Sequence, residues 1–184
     1  MGICTDMNIK KGCVTLRAIE ERDFEILFRM MNSAEIERAM GSFSLPVNEM
    51  QQKEWIRNYR NTEKQIRWMI ELENETVIGT IMLYNIDMKN GIAEVGYKTM
   101  ADKEKRMQGD VDYAMQAVLN YAFAELRLNC VFAHVLVDNI RSRRFLLRNG
   151  FAEEGVLRQR VYQNGSYVDM NLFSILKSEY DSGR

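Results

Sequence analysis

The sequence predicts an α/β fold of seven strands with flanking helices, in the order β-α-α-β-β-β-α-β-α-β-β. Three observations predict it: a run of three strand-like segments between residues 67 and 100, a strongly helix-periodic segment directly after them, and a closing pair of strands around an Asn-Gly turn. At about 100–200 residues per domain, the 184 residues make a single domain, 1–184, in which residues 1–12 are expected to form a disordered leader.

In chain order, Val14–Ile19 reads as the first strand. From Arg22 to Asn32, Phe24, Leu27, Phe28 and Met31 recur at helical spacing behind acidic first-turn residues. A short helix at Ala34–Met40 and a loop at Gly41–Val47 follow. Asn48 and Gln51 then form an N-x-x-Q capping box, which opens a helix running to about Asn61 with Trp55, Ile56 and Tyr59 on its apolar side. Arg67–Leu72, Thr76–Ile86 and Ile92–Met100, separated by polar turns, read as an antiparallel meander.

The period then changes. Val111, Met115, Val118, Leu119, Ala122 and Leu126 recur at steps of three and four, as an amphipathic helix of four turns requires. Cys130–Val137 is nearly continuously apolar, the pattern of a strand covered on both faces. A helix over Ile140–Arg148 ends at Asn149-Gly150. Glu153–Tyr162 and Tyr167–Leu176 flank Asn164-Gly165, the favoured type I′ hairpin turn.

Composition narrows the function. With 25 basic and 26 acidic side chains, the net charge of −1 gives no field that gathers nucleic acid or an anionic membrane. No uncharged run approaches the ~18 residues of a membrane helix. Three cysteines with no C-x-x-C spacing and no secretory leader fit free thiols in a cytoplasm. The one histidine, His134, excludes most zinc sites, so no metal is expected; in mid-strand it reads as structural. The thirteen methionines read as adaptable packing. Arg141, Arg143, Arg144 and Arg148 share one short helix without interleaved aromatics, which reads as a solvated face rather than a nucleic-acid site.

The informative junction is Lys103-Glu104-Lys105-Arg106-Met107-Gln108-Gly109-Asp110-Val111, between the third meander strand and the long helix. A loop entering a helix leaves several backbone N–H groups pointing one way, and the positive end of the helix dipole adds to them, so the turn is an anion cradle.

Taken with the element order, Arg106-Met107-Gln108-Gly109-Asp110-Val111 resembles the R/Q-x-x-G-x-G/A pyrophosphate loop of the GNAT superfamily of acetyl-CoA-dependent N-acetyltransferases. Asn139-Ile140-Arg141-Ser142-Arg143-Arg144-Phe145-Leu146-Leu147-Arg148-Asn149-Gly150-Phe151 is similar to the N-x-x-S-x-R-x-L-x-x-x-G-F run of the branch that includes ribosomal-protein N-terminal and spermidine acetyltransferases. The tail from Gly155 to Asp169 resembles that branch's final hairpin. Two positions depart from the pattern. Val111 replaces Gly or Ala, and Leu146 stands where many members carry a tyrosine that protonates the leaving thiolate. Asp110 and Asp112 also set carboxylates where phosphate should sit, and a like charge there costs affinity.

The resemblance implies a mixed, mostly antiparallel sheet flanked by helices and a cytoplasmic enzyme with acetyl-CoA as co-substrate. It implies acetyl transfer to a primary amine: a polyamine, an amino sugar, an amino-acid-like metabolite or a protein N-terminus. A homodimer is also implied, and a non-catalytic acyl-CoA- or partner-binding module is the alternative. Glu94, on the strand that lines the acetyl group in the family, is the implied proton acceptor, directly or through a water. The coenzyme would be held by Tyr97, Lys98, Arg106, Met107, Gln108, Gly109, Asp110, Val111, Asn139, Ser142 and Arg144. The strand of Glu94 should part from its neighbour to admit the pantetheine arm, with a bulge or close approach at Gly96 and a backbone N–H of Gly96–Lys98 facing the thioester carbonyl. The acceptor would enter between the N-terminal helices and the final hairpin, with Trp55, Trp68 and Tyr59 as wall candidates against a default of core packing.

Overall fold

A computed structural model describes residues 8–41, 45–100 and 109–183. The strands are β1 (Ile9–Lys11), β2 (Val14–Arg17), β3 (Ile66–Leu72), β4 (Val77–Asp87), β5 (Ile92–Thr99), β6 (Cys130–Leu136), β7 (Ala152–Gln163) and β8 (Ser166–Leu176). The helices are α1 (Phe24–Met31), α2 (Ala34–Met40), α3 (Glu49–Asn58), α4 (Asp110–Asn120), α5 (Ile140–Arg148) and α6 (Lys177–Ser182). The strands form one sheet in the order β1-β2-β3-β4-β5-β6-β8-β7, antiparallel except for the β5–β6 pair. The mixed, mostly antiparallel sheet is therefore as expected, with eight strands instead of seven.

The additional strand lies inside the expected leader, where Ile9–Lys11 pairs with β2. Three residues are too few for a readable alternation. The closing helix α6 was also not anticipated. The Asn48–Gln51 capping box is present, each side chain accepting from the other's backbone N–H at 2.9 and 3.1 Å. The helix it opens stops at Asn58, short of Asn61. Positive φ at Asn164 and Gly165, with Gln163 opposite Ser166, makes the predicted hairpin turn.

Alternation on each strand sorts side chains to two faces. On one face α4 and α5 bury Met115, Val118, Leu119, Phe145 and Leu146 against Ile81, Leu83, Val131 and Phe173. The helix of α4 runs on through a π-helical stretch, Tyr121–Glu125, before the chain turns into β6. On the other face α1 and α3 bring Leu27 and Ile56 onto Met69. This second cover is incomplete. In β6, Val131, Ala133 and Val135 are buried while Phe132 and His134 are half-exposed, so the strand is not covered on both faces as its apolar run implied.

Two backbone features position the cleft. The extra residue of the bulge falls on β4, between Tyr84 and Asp87, rather than at Gly96. Asn85 there has φ 51, and the bulge turns its amide toward β5. Gly96 instead serves as a close approach, since a Cβ built there would lie 3.1 Å from the Tyr84 ring. At Gly79 a Cβ would lie 2.1 Å from the Lys98 carbonyl oxygen, so β4 can press against β5 only without a side chain at that position. Gly79→Ala is expected to cost at least ~2 kcal/mol, read as a lower urea midpoint. An unchanged midpoint would show that the strands do not pack this closely.

Candidate active site

The β5–β6 ladder ends early. Ile92, Ala93 and Glu94 pair with Cys130, Val131 and Phe132, yet β5 continues to Thr99 and β6 to Leu136. Each strand remains paired on its other side, β5 with β4 and β6 with β8. The facing edges therefore part, leaving a cavity of about 150 Å³ lined by Val95–Thr99, Ala133–Leu136 and residues of α2 and α5. The parting expected of these strands is present, and strand edges facing a gap demand hydrogen-bond partners. An extended chain bearing amides, such as a pantetheine arm, meets that demand.

At the closed end of the gap lies a cluster on the α1–α3 face. Glu94, 8% exposed, has Oε1 2.7 Å from His134 Nδ1. Its Oε2 accepts from Asn85 Nδ2 at 3.1 Å. The Tyr84 hydroxyl also bonds to the Glu94 carboxylate, and burial together with that bond pushes its pKa up, so it stays protonated. His134 and Tyr84 line the cavity, with Glu94 behind them. With Nδ1–H donated to Glu94, the other ring nitrogen carries the lone pair. Sequence reasoning read His134 as structural. The one available signal was parity: Glu94 and His134 both fall on the less apolar face of their strands.

On the opposite wall the Tyr97 hydroxyl donates to Ser142 Oγ at 3.0 Å, and the Tyr97 ring tilts against Phe145 at 4.7 Å. Burial pushes the Tyr97 hydroxyl pKa up. Leu146 lines the same wall. Asn139 caps α5, its Oδ1 accepting from Ser142 N at 3.0 Å, and its Nδ2 donates to the Ala39 carbonyl of α2 at 3.1 Å. Its side chain thus ties α2 to the mouth of the gap. Arg144 is exposed.

Of the pyrophosphate-loop residues, Arg106, Met107 and Gln108 lie outside the described residues. Gly109 caps α4 with φ 109, and a Cβ built there would meet nothing within 4 Å among the described residues. Val111 packs against the core beneath the helix, which accounts for a larger side chain at that position. The nearby carboxylates are engaged. Asp112 is gripped by Arg148 at 2.6 and 2.9 Å and by Asn149 Nδ2 at 2.7 Å. Asp110 is buried and accepts from the Cys13 thiol at 3.2 Å, and burial with this bond raises the thiol pKa. The charge of Asp112 is therefore compensated by Arg148, while Asp110 is buried against Cys13. A concavity of about 560 Å³ opens beside Gly109, with Lys11 and Arg148 on its rim.

The final hairpin meets α2 directly, Gln163 Nε2 donating to the Arg38 carbonyl at 2.8 Å. A cavity of about 350 Å³ lies instead between α1, α3 and the sheet, with Trp55 in its wall. Trp68 is on the opposite face, edge-on to Tyr121 in the core. No group of metal-binding side chains occurs among the described residues, and no helix there is long and apolar enough to cross a membrane.

Residues 14–152 match a family described as the acetyltransferase (GNAT) domain. The uncharacterized N-acetyltransferase YoaA of Bacillus subtilis is 34% identical over 166 residues, spanning 88% of this chain and 92% of that one. The ribosomal-protein-serine acetyltransferase of Escherichia coli is 36% identical over 107 residues, 58% of each chain. Among solved structures, spermidine N-acetyltransferase from Vibrio cholerae in complex with CoA and spermine superposes with a TM-score of 0.81 at 25% identity, covering 91% of this chain and 98% of that one.

Proposed function

The chain belongs to the GNAT family of acetyltransferases and moves an acetyl group from acetyl-CoA to an amine; from that premise we propose that Glu94 and His134 together accept the amine proton in the gap between β5 and β6. The observation that carries this reading is the placement of the Glu94–His134 pair, 2.7 Å apart, at the end of the parted ladder.

Acetyl-CoA supplies an activated carbonyl and a thiol leaving group. The remaining work falls to the protein. An amine with a pKa near lysine's ~10.4 is mostly protonated at neutral pH and must lose that proton before it can attack. His134, through the nitrogen turned away from Glu94, takes the proton, while Glu94 fixes the ring and stabilises the positive charge it acquires. Asn85 and Tyr84 hold the carboxylate in place. A backbone N–H of the Gly96–Lys98 stretch faces the carbonyl oxygen as negative charge develops there, a contribution typically worth ~2.7–4 kcal/mol per donor. A thiol of pKa ~8.5 is a tolerable leaving group, so water suffices to protonate it where Leu146 replaces tyrosine. Gly109 and the first turn of α4, with Arg106, Met107, Gln108, Asp110 and Val111, grip the diphosphate through main-chain amides. Tyr97, Ser142, Asn139 and Arg144 border the arm that enters the gap.

The same reading makes residues 1–184 one acetyltransferase domain acting in the cytoplasm, assembled as a homodimer. Its acceptor is drawn from polyamines, amino sugars, amino-acid-like metabolites and protein N-termini. Calorimetric titration with acetyl-CoA followed by thiol release across an amine panel tests it. Binding together with amine-dependent thiol release is expected. Binding without release would favour a non-catalytic acyl-CoA module, and absence of binding at millimolar ligand would overturn both.

A further inference from the structure

The cavity between α1, α3 and the sheet has an unusual charge arrangement. Arg67 of β3 and Lys98 of β5 both line it, and among the described residues no carboxylate does. Among the described residues, neither cation has a carboxylate within salt-bridge distance. Arg67 is instead stacked over Trp55 and Tyr59, its guanidinium carbon 5.5 and 5.8 Å from the two rings. Burial lowers the pKa of both cations, and the charge of Arg67 lowers that of Lys98 further. Two cations with no carboxylate beside them among the described residues, sharing one enclosure, repel each other and lose hydration, a cost that an anion between them removes.

A second, independent observation points the same way. Gln52 of α3 is 2% exposed and lines this cavity. Its Nε2 and the Nε of Arg67 are buried N–H donors that make no hydrogen bond among the described residues. Buried donors are almost always satisfied, so orphans on two residues that line one cavity mark a place short of acceptors. Thr80, paired with Lys98 across β4–β5, lines the same wall.

The cavity adjoins the reaction gap, because Lys98 lines both. Lys98 sits two residues beyond Gly96 on the same face of β5, about 6.6 Å along the strand. At the other end of the gap the charge is negative: Glu94 behind His134, and exposed Glu35 of α2 at the rim. We propose that the acetyl acceptor is a small amino carboxylate, whose amine faces His134 and whose carboxylate is held by Arg67, Lys98 and Gln52. The apolar part of the wall, from Leu27, Met30 and Val47, then packs against the body of the molecule. A polyamine fails on this arrangement, since its second cation would meet Arg67 and Lys98. The proposal rests on the acetyl-transfer reading and narrows its acceptor.

The test uses L-leucine, L-phenylalanine and 4-aminobutyrate, each beside its methyl ester, with spermidine as the cationic comparator. Thiol release from acetyl-CoA is followed, and binding of the same probes to the CoA-loaded protein is measured by calorimetry. At least one acid is expected to exceed its own ester and spermidine by about 10- to 100-fold in kcat/KM, or in affinity if none turns over. In Arg67→Met that preference is lost through KM while acetyl-CoA affinity is retained, and in Lys98→Met the preference is lost as well. Esters or spermidine performing as well as the acids, or binding of none of the probes, would overturn the proposal. If acetyl-CoA itself does not bind, the enzyme reading fails first, which separates the two failures.

Discussion

Replacing Glu94 by glutamine lowers kcat by at least ~100-fold while leaving the dissociation constant for acetyl-CoA unchanged. General acid–base catalysis contributes typically about 10²–10⁴-fold, and the glutamine removes the charge that makes His134 a base without removing bulk. The tautomer changes as well. Glu94 Oε1 lies 2.7 Å from His134 Nδ1, and an amide presenting its NH₂ there would turn the ring's acceptor toward position 94 and leave a donor in the gap. His134→Ala should lose activity to a similar degree, and the double variant should be little worse than either single one, because groups acting as a unit are not additive. Assays at high pH, where more of the amine is already neutral, should recover part of the loss. If Glu94→Gln turns over at the wild-type rate, the pair has no part in proton transfer.

Asp23→Ala is expected to destabilise the fold by about 3–5 kcal/mol, the cost of stripping one partner from a buried ion pair. Arg17 is 4% exposed and Asp23 1%. The two are joined by Nη1 and Nη2 contacts of 2.8 and 2.7 Å, while Arg17 Nε reaches Glu71 at 2.6 Å. Asp23 also accepts from the Glu20 backbone N–H at 2.8 Å, which fixes the turn leading into α1. Removing it leaves a buried guanidinium held by Glu71 and the Ala18 carbonyl. For a chain of this size each kcal/mol moves Tm by about 2–4 °C, so thermal melting should register a fall of about 10 °C. A shift under ~2 °C would mean that water reaches Arg17 in solution.

What the sequence made legible was whatever repeats locally. The period of Met115, Val118, Leu119 and Ala122 gave α4, the Asn48–Gln51 box gave the start of α3, and Asn164-Gly165 gave the hairpin. Pairings between distant segments leave no such trace. Glu94 and His134 are forty residues apart and meet because Glu94 lies beside Phe132 in the ladder. Register of that kind is set by the whole sheet, and on its own strand His134 looks like any half-buried polar residue. Gly96 invited a bulge, yet the extra residue went to β4, where Asn85 adopts positive φ. A bulge depends on the relative lengths of two strands, which neither shows alone. The cationic cavity was equally illegible, since Gln52, Arg67 and Lys98 come from three elements, and the lack of a carboxylate beside them among the described residues is nothing a sequence can display. The Asp112 carboxylate, read from sequence as opposing a phosphate, is instead neutralised by Arg148 from another helix.

Three rungs of parallel ladder are the backbone join between the β1–β5 half of the sheet and the β6–β8 half. A guest lying along the open edges would behave as a ninth strand and stitch the halves together. Folded-state ligands stabilise by mass action. Acetyl-CoA seated along those edges would therefore strengthen the join between the two halves as its concentration rises above its dissociation constant.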